Sequence, residues 1–419
     1  MTIINHHKIN DIRVMKKNGL FIILIIILFG CSSEKKSFIQ ENFSFAEKQT
    51  SGMIDLTSGY THYPRTIAKD GTLKSTNMYD WTSGFFTGNL WYLYENTKDN
   101  NWKTEAIKWT ESLEPLKNFT DHHDLGFMMY CSYGNAYRLT GNPHYKEVLI
   151  QSAKSLCSRF SPITGTIKSW NYRLSHNGTT EWFYPVIIDN MMNLELLFFA
   201  YKETGDETFR DIAVEHADNT LKNQFREDYG TYHVVNYDPD TGEVLNKQTM
   251  QGYADESTWA RGQAWAIYGF TMMYRETKDH RYLDIAIKAT DFYLNNPNLP
   301  DDLIPYWDFD IFNTNIELDI DYSKYETIAL RDASAAAITA SALLELCNYS
   351  KENHDRYLHA AITTLHNLSE NYRVNNGTNQ FILNHCVGSM PHHEEIDVPL
   401  VYADYYFLEA LLRYKSNHD

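Results

Sequence analysis

Apolar positions recur along this chain at helical spacing, in pairs of runs that differ in kind. The first run of a pair is apolar nearly all round: before Tyr201 it reads Met191, Met192, Leu194, Leu196, Leu197 and Phe198. The second is one-sided, as in Tyr282, Ile285, Ala286, Ala289 and Phe292. A helix without a polar face belongs inside a fold, and one with a polar face belongs at its surface. Between the two runs stands a short tag that opens Tyr-x-x-Thr-(Gly/Lys)-(Asp/Asn). It occurs at Tyr94–Asp99, Tyr137–Asn142, Tyr201–Asp206 and Tyr274–Asp279, with a looser copy from Tyr349 to Asn353. An aromatic follows at Trp102, Tyr145, Phe209, Tyr282 and Tyr357, and a small or aliphatic residue at Ala106, Leu149, Ala213, Ala286 and Ala361. Gly tolerates the left-handed backbone that ends a helix, and Asp or Asn bonds the start of the next. Each unit therefore reads as inner helix, tight turn, antiparallel outer helix.

Self-similarity with a period of tens of residues sets the architecture. Inner helices are expected to start near Asp80, Asp124, Asp189, Ser257, Arg331 and Pro399, and the segment Phe38 to Gln49 can supply the outer helix that the last one lacks. Six hairpins in a closed ring make an all-α (α/α)6 barrel. An open helical solenoid is the alternative, but it needs polar capping helices, and the final run, Val401 to Tyr414, is aromatic.

No Pro/Gly/Ser-rich linker divides the chain after residue 40, so residues 39–419 read as one domain. The start reads differently. Lys16 and Lys17 precede the apolar run Leu20 to Phe29, too short to span a bilayer, followed by Gly30-Cys31-Ser32-Ser33. This is the form of a signal peptide over residues 1–30, with a lipobox ending at Cys31 and a short tether over 31–38. Translation from Met15 would give the usual length. The expected location is outside the cytoplasm, lipid-anchored, in the periplasm or at the outer membrane of a Gram-negative bacterium. An ordinary secretory signal is the alternative. The chain carries −17, and residues 1–30 contribute +3 of it, which leaves −20 on the remainder. That argues against a nucleic-acid partner and means an anionic ligand needs local cations. Cys131, Cys157, Cys347 and Cys386 show no disulfide-framework or metal spacing and read as buried free thiols, with one bridged pair as the alternative in an oxidising compartment.

The repeat also makes a prediction about chemistry. Asp80, Asp124, Asp189 and Arg261 each fall within a turn of the N-terminal end of an inner helix. Inner helices of a ring run parallel, so these groups should meet at one mouth. Taken singly, each acid could be an N-cap or a salt-bridge partner. Together with Arg261, Trp81 and Trp265 they suit a sugar, whose C–H face stacks on aromatics while acids reach its hydroxyls. Two carboxylates on one sugar point to glycoside chemistry, provided one of them is kept protonated. Asp189, flanked by Ile188, Met191 and Met192, has the more apolar setting and is assigned the acid role; Asp124, beside His122 and His123, should stay charged.

These segments resemble a known family. Asp80-Trp81-Thr82-Ser83-Gly84-Phe85, His123-Asp124-Leu125-Gly126-Phe127, Ile188-Asp189-Asn190, Trp259-Ala260-Arg261-Gly262-Gln263-Ala264-Trp265 and Tyr402-Ala403-Asp404-Tyr405-Tyr406 resemble the unsaturated glucuronyl hydrolases. The resemblance covers nearly all of the chain after residue 40. It implies an (α/α)6 barrel that removes a 4,5-unsaturated uronic acid from the non-reducing end of oligosaccharides left by polysaccharide lyases. The double bond is hydrated, with a proton to C4 and water to C5, and the product rearranges to free the next sugar. No cofactor or metal is implied. Asp189 matches the general acid/base and Asp124 the second essential acid. Trp81 and Trp265 match stacking aromatics, and His233, Gln251 and Arg261 match polar groups at the reacting ring, the first two by their spacing to Arg261. On its own His233 reads as a surface or strand histidine. Arg261 is expected to serve substrate capture more than stability. The segment His392-His393-Glu394-Glu395-Ile396-Asp397 should reach the mouth as a substrate-binding loop, since its spacing matches no usual metal site. The implied partner is an unsaturated oligosaccharide of glycosaminoglycan or ulvan origin. An unsaturated rhamnogalacturonyl hydrolase and a non-catalytic glycan-binding lipoprotein are the alternatives. The sequence leaves oligomeric state open.

Overall fold

The hairpin tag is a hydrogen-bonded device used four times. In a computed structural model, which describes residues 34–57, 59–318, 320–375 and 377–417, Lys98, Gly141, Gly205 and Lys278 sit at φ of 59°, 66°, 74° and 58°. Each ends an inner helix with its N–H on the carbonyl of the tag tyrosine. The tag threonine hydroxyl (Thr97, Thr140, Thr204, Thr277) accepts the backbone N–H of the acid or amide two residues on. The side chains of Asp99, Asn142, Asp206 and Asp279 then cap the following outer helix. Where Lys replaces Gly, the left-handed backbone costs about 1 kcal/mol. The ammonium groups of Lys98 and Lys278 lie over the rings of Tyr94 and Tyr274, which offsets part of it. The looser fifth copy lacks the device, and Asn353 makes no side-chain cap.

The inner helices are Ser83–Thr97, Gly126–Gly134 continuing into Asn135–Thr140, Leu194–Thr204, Ala260–Thr277, Ala333–Leu346 and Val401–Ser416. Each packs on the next, and the last packs on the first, so the ring closes. The outer helices Asn100–Ser112, Pro143–Cys157, Glu207–Asn223, His280–Asn295 and His354–Asn371 surround it. The sixth outer position is filled from the start of the chain by a helix over 34–56. Asn42 accepts from Ser369, and Gln49 donates to the carbonyl of Phe381. The architecture is the expected (α/α)6 barrel. One boundary differs: residues 34–38 are helical, so the tether expected over 31–38 does not reach that far. Residues 1–33, with the signal run and Cys31, lie outside the described residues. The four later cysteines are free thiols.

Aromatic rings close the barrel axis. Phe85 meets Phe127 at 5.4 Å, Phe127 meets Trp265 at 5.1 Å, and Trp265 meets Tyr406 at 5.3 Å between centroids. The second inner helix is π-helical over Gly126–Gly134. Wider turns of this kind often mark functional sites. Its first residue has no room for a side chain, because a Cβ on Gly126 would lie 2.4 Å from the Cα of Asn193. That close approach brings the segment carrying Asp124 against the turn carrying Asp189.

The all-α expectation needs one addition. Several links from an outer helix to the next inner one contain short strands. Tyr184–Ile187, Val234–Tyr237 and Val244–Gln248 form an antiparallel sheet, and Cys386–Ser389 pairs with Glu394–Val398. The β-branched run Val234-Val235 favours strand there, a local signal that the helical repeat overshadows.

Candidate active site

Asp124 and Asp189 lie at one mouth, each less than a tenth exposed. They reach it by different routes. Asp124 is held by the loop before the second inner helix, with His122 Nδ1 3.0 Å from one carboxylate oxygen and His123 Nε2 3.2 Å from the other. Asp189 sits in a short 3-10 helix, Ile188–Asn193, between the strand Tyr184–Ile187 and the third inner helix. His233 immediately precedes the neighbouring strand, and its carbonyl accepts the N–H of Ile188.

Their electrostatic settings differ as the acid and charged roles require. Burial pushes the Asp189 carboxyl up to about 7. Arg261 pulls it down, the charge of Asp124 pushes it up, and the Trp265 indole lowers it. For Asp124 burial also opposes charge, but His123 and then His122 outweigh it and hold the carboxyl below its usual range. Two acids in mutual electrostatic reach, one poised near neutrality and one ionised, can divide proton donation from charge stabilisation.

His233 is fixed in one tautomer. Its Nδ1 accepts the backbone N–H groups of Met250 and Gln251 at 3.1 and 3.2 Å, so the proton belongs on Nε2. That nitrogen faces an Asp189 oxygen at 3.7 Å, and neither atom has a hydrogen-bond partner among the described residues. Burial, with the charges of Arg261 and Arg173, holds His233 well below the usual imidazole range, so it is neutral. The Trp259 ring lies 4.5 Å from it.

The other expected residues take more varied places. Trp81 is half-buried at the mouth, 4.9 Å from the Tyr402 ring, and suits a stacking face. Trp265 is fully buried, so it forms the floor rather than a face. Gln251 donates to the carbonyl of Gly388 at 2.9 Å and pins the strand Cys386–Ser389. Arg261 is 1 % exposed, paired with Asp332 at 3.0 Å, and donates to the carbonyls of Val387 and Gly388. Much of its fork is therefore structural, and its charge bears on Asp189 from within the protein. Asp80 is tied to Arg65, which also grips Glu395 with two hydrogen bonds. This joins the 392–397 segment to the mouth, while His393 meets the hydroxyl of Tyr325 at 2.6 Å and Asp397 meets His385 at 2.7 Å. Asp404, in the last of the matched motifs, accepts the N–H groups of Ile382 and Leu383 and is structural.

Sequence reasoning did not single out Arg65, Trp170, Arg173 or Asn193. Asn193 accepts the N–H of Phe127 at 3.1 Å and links the two acid-bearing segments. Only the sequence neighbourhood of Asp189 hinted at it. A cavity of about 730 Å³ opens at the opposite end of the barrel, among Tyr92, Arg138, Glu409 and Arg413. Its arginines already hold Glu95 and Glu409, whereas an oxygen of Asp189 and the facing nitrogen of His233 are left without hydrogen-bond partners among the described residues.

Comparison with known proteins bears on the family and the fold. The profile of Glycosyl Hydrolase Family 88 matches residues 53–415. An unsaturated glucuronyl hydrolase of Formosa agariphila is 45 % identical over 393 residues, covering 91 % of this chain and 94 % of that one. An unsaturated chondroitin disaccharide hydrolase of Streptococcus agalactiae is 37 % identical, covering 84 % and 85 %. Among solved structures, an unsaturated glucuronyl hydrolase specific for heparin superposes with a TM-score of 0.82 at 44 % identity, over 90 % of this chain and 97 % of that one. A barrel of six hairpins with paired acids at one mouth, matched along nearly its whole length, belongs to glycosyl hydrolase family 88, among its unsaturated glucuronyl hydrolases.

Proposed function

We propose that this enzyme removes the 4,5-unsaturated uronic acid from the non-reducing end of lyase-generated glycosaminoglycan or ulvan fragments. The observation that carries the reading is a buried Asp189 poised near pH 7 beside an ionised Asp124. Asp189 delivers its proton to C4 of the double bond. Positive charge then develops at C5, and the nearby Asp124 carboxylate stabilises it. Water adds at C5 and returns a proton to Asp189. The hemiketal opens, and the neighbouring sugar leaves without direct displacement at C1. His233, neutral with its N–H on Nε2, holds either the Asp189 oxygen or the incoming water, and Trp81 offers a face to the ring.

Hydration destroys the conjugated double bond, so turnover is read as loss of its near-ultraviolet absorbance. Unchanged absorbance across unsaturated disaccharides from hyaluronan, chondroitin, heparin and ulvan would overturn the reading. The pH profile tests the acid. Asp189 must be protonated to act, and its carboxyl titrates at about 7. Activity is therefore expected to fall above neutrality, by about tenfold per pH unit. An alkaline limb beginning only above about pH 9 would exclude Asp189 as the proton donor.

We also infer export and lipid attachment at Cys31, from the Lys16–Lys17 pair, the apolar run and Gly30-Cys31. Metabolic labelling with a radioactive fatty acid should mark the native protein and not Cys31→Ser; label on both would overturn it.

A further inference from the structure

Asn193 stands at the start of the third inner helix, where an asparagine usually caps the helix that follows it, yet its side chain makes no bond to that helix. It crosses instead to the segment that carries Asp124. Its Oδ1 accepts the N–H of Phe127 at 3.1 Å, one of the first-turn donors that a helix cannot satisfy by itself. Its Nδ2 lies 3.4 Å from Nδ1 of His123. Neither Asn193 nor His123 has any exposed surface. Gly126 leaves room for the crossing, since a Cβ there would lie 2.6 Å from the Asn193 oxygen.

A backbone N–H can only donate, so the bond from Phe127 fixes which end of the amide faces which way. The oxygen is at Phe127 and the NH2 group is at His123. That group can only donate in turn, so Nδ1 of His123 accepts and the ring proton belongs on Nε2. Burial takes the His123 pKa down to about 4, so near neutral pH the ring carries this one proton. Nε2 faces an oxygen of Asp124 at 3.2 Å, and a donor on a carboxylate favours its charged form. The opposite tautomer would aim a lone pair at that carboxylate and strand the amide. Asn190 also reaches the ring, with an oxygen that has no partner among the described residues, and is the acceptor that the opposite tautomer would use. His122, Arg159 and His216 are the other titratable or charged groups that bear on His123. His233 presents its Nε2–H to Asp189 in the same manner, with its Nδ1 held by backbone donors. Each acid thus faces an imidazole whose far nitrogen is held by an amide.

We propose that Asn193 is a positioning residue for the reaction: by holding Nδ1 of His123 it keeps the imidazole N–H on Asp124, and so keeps that acid ionised beside Asp189. This rests on the roles given above to the two acids. One amide then has two duties, capping the π-helical segment and placing the proton of a histidine 70 residues away.

Asn193→Asp separates the two duties, because a carboxylate still accepts from Phe127 but offers no donor to His123. It should lower kcat by about 10- to 100-fold, the scale of losing an orienting partner behind a reacting group, with KM near the wild-type value. An unchanged kcat, or a loss carried by KM alone, overturns the proposal. The tautomer is read without turnover. Nitrogen-15 spectra of the histidine rings, with the His123 signals assigned by their loss in His123→Gln, should place the proton of the wild-type ring on Nε2. In Asn193→Asp the new carboxylate should draw a proton to Nδ1, a change that a purely structural role would not produce. A wild-type ring protonated on Nδ1 overturns the proposal even if Asn193→Asp fails to fold. A wild-type ring protonated on Nε2 in a protein inactive on every unsaturated disaccharide would fault the reaction and leave the hold of Asn193 on His123 standing.

Discussion

Asp189→Asn should lower kcat by about 10³-fold, the scale of a lost general acid/base, and yet melt higher than the wild type at mildly alkaline pH. The two effects share one cause. In the folded protein the carboxyl titrates at about 7, against about 3.9 in an unfolded chain. Between those values the folded state holds a proton that the unfolded state has lost. Stability therefore falls as pH rises through this window and stays low above it. The full difference corresponds to at most about 4 kcal/mol. An asparagine carries no charge at any pH and escapes it. The melting temperatures of the two proteins should converge near pH 4 and separate above pH 7, with far-ultraviolet circular dichroism unchanged. A variant that keeps native activity, or one that melts lower at every pH, would contradict the assignment.

Arg261→Ala should cost about 3–5 kcal/mol of stability. Its partner Asp332 has no exposed surface, and the carbonyls of Val387 and Gly388 would lose a shared donor. A buried carboxylate left without its cation is among the more severe single changes a core can suffer. This reverses the order expected from sequence, in which Arg261 served capture before stability. The substitution should also move the alkaline limb of activity upward, because Arg261 is the chief influence lowering the Asp189 carboxyl. Urea unfolding measures the first effect and the pH profile the second. An unchanged unfolding midpoint would show that Asp332 tolerates the loss.

Much of this was legible because its signals are local. The tag residues Thr97 to Asp99 and their three close copies contact one another within a few positions, so their spacing alone encodes the turn. The helical period then places Asp124 and Asp189 at corresponding heights. What stayed hidden depends on partners far apart in the chain. Arg65 meets Glu395, and Arg261 meets Asp332, through contacts that no local pattern announces. The burial of Trp265, which turns an expected stacking face into a floor, follows from the packing of Phe127 and Tyr406 from two other helices. The strand links escaped notice for the opposite reason: Val234–Tyr237 is short, and a strand of that length reads weakly beside long helices.

The helix over 34–56 begins far from the chemistry. Lys35 donates to the carbonyl of Lys415 and lies over the Tyr414 ring, at the closing end of the last inner helix. That helix opens at Val401, on the catalytic side. A molecule moored to a bilayer through Cys31 would thus stand on its base with its substrate entrance turned outward, towards arriving sugar fragments rather than lipid.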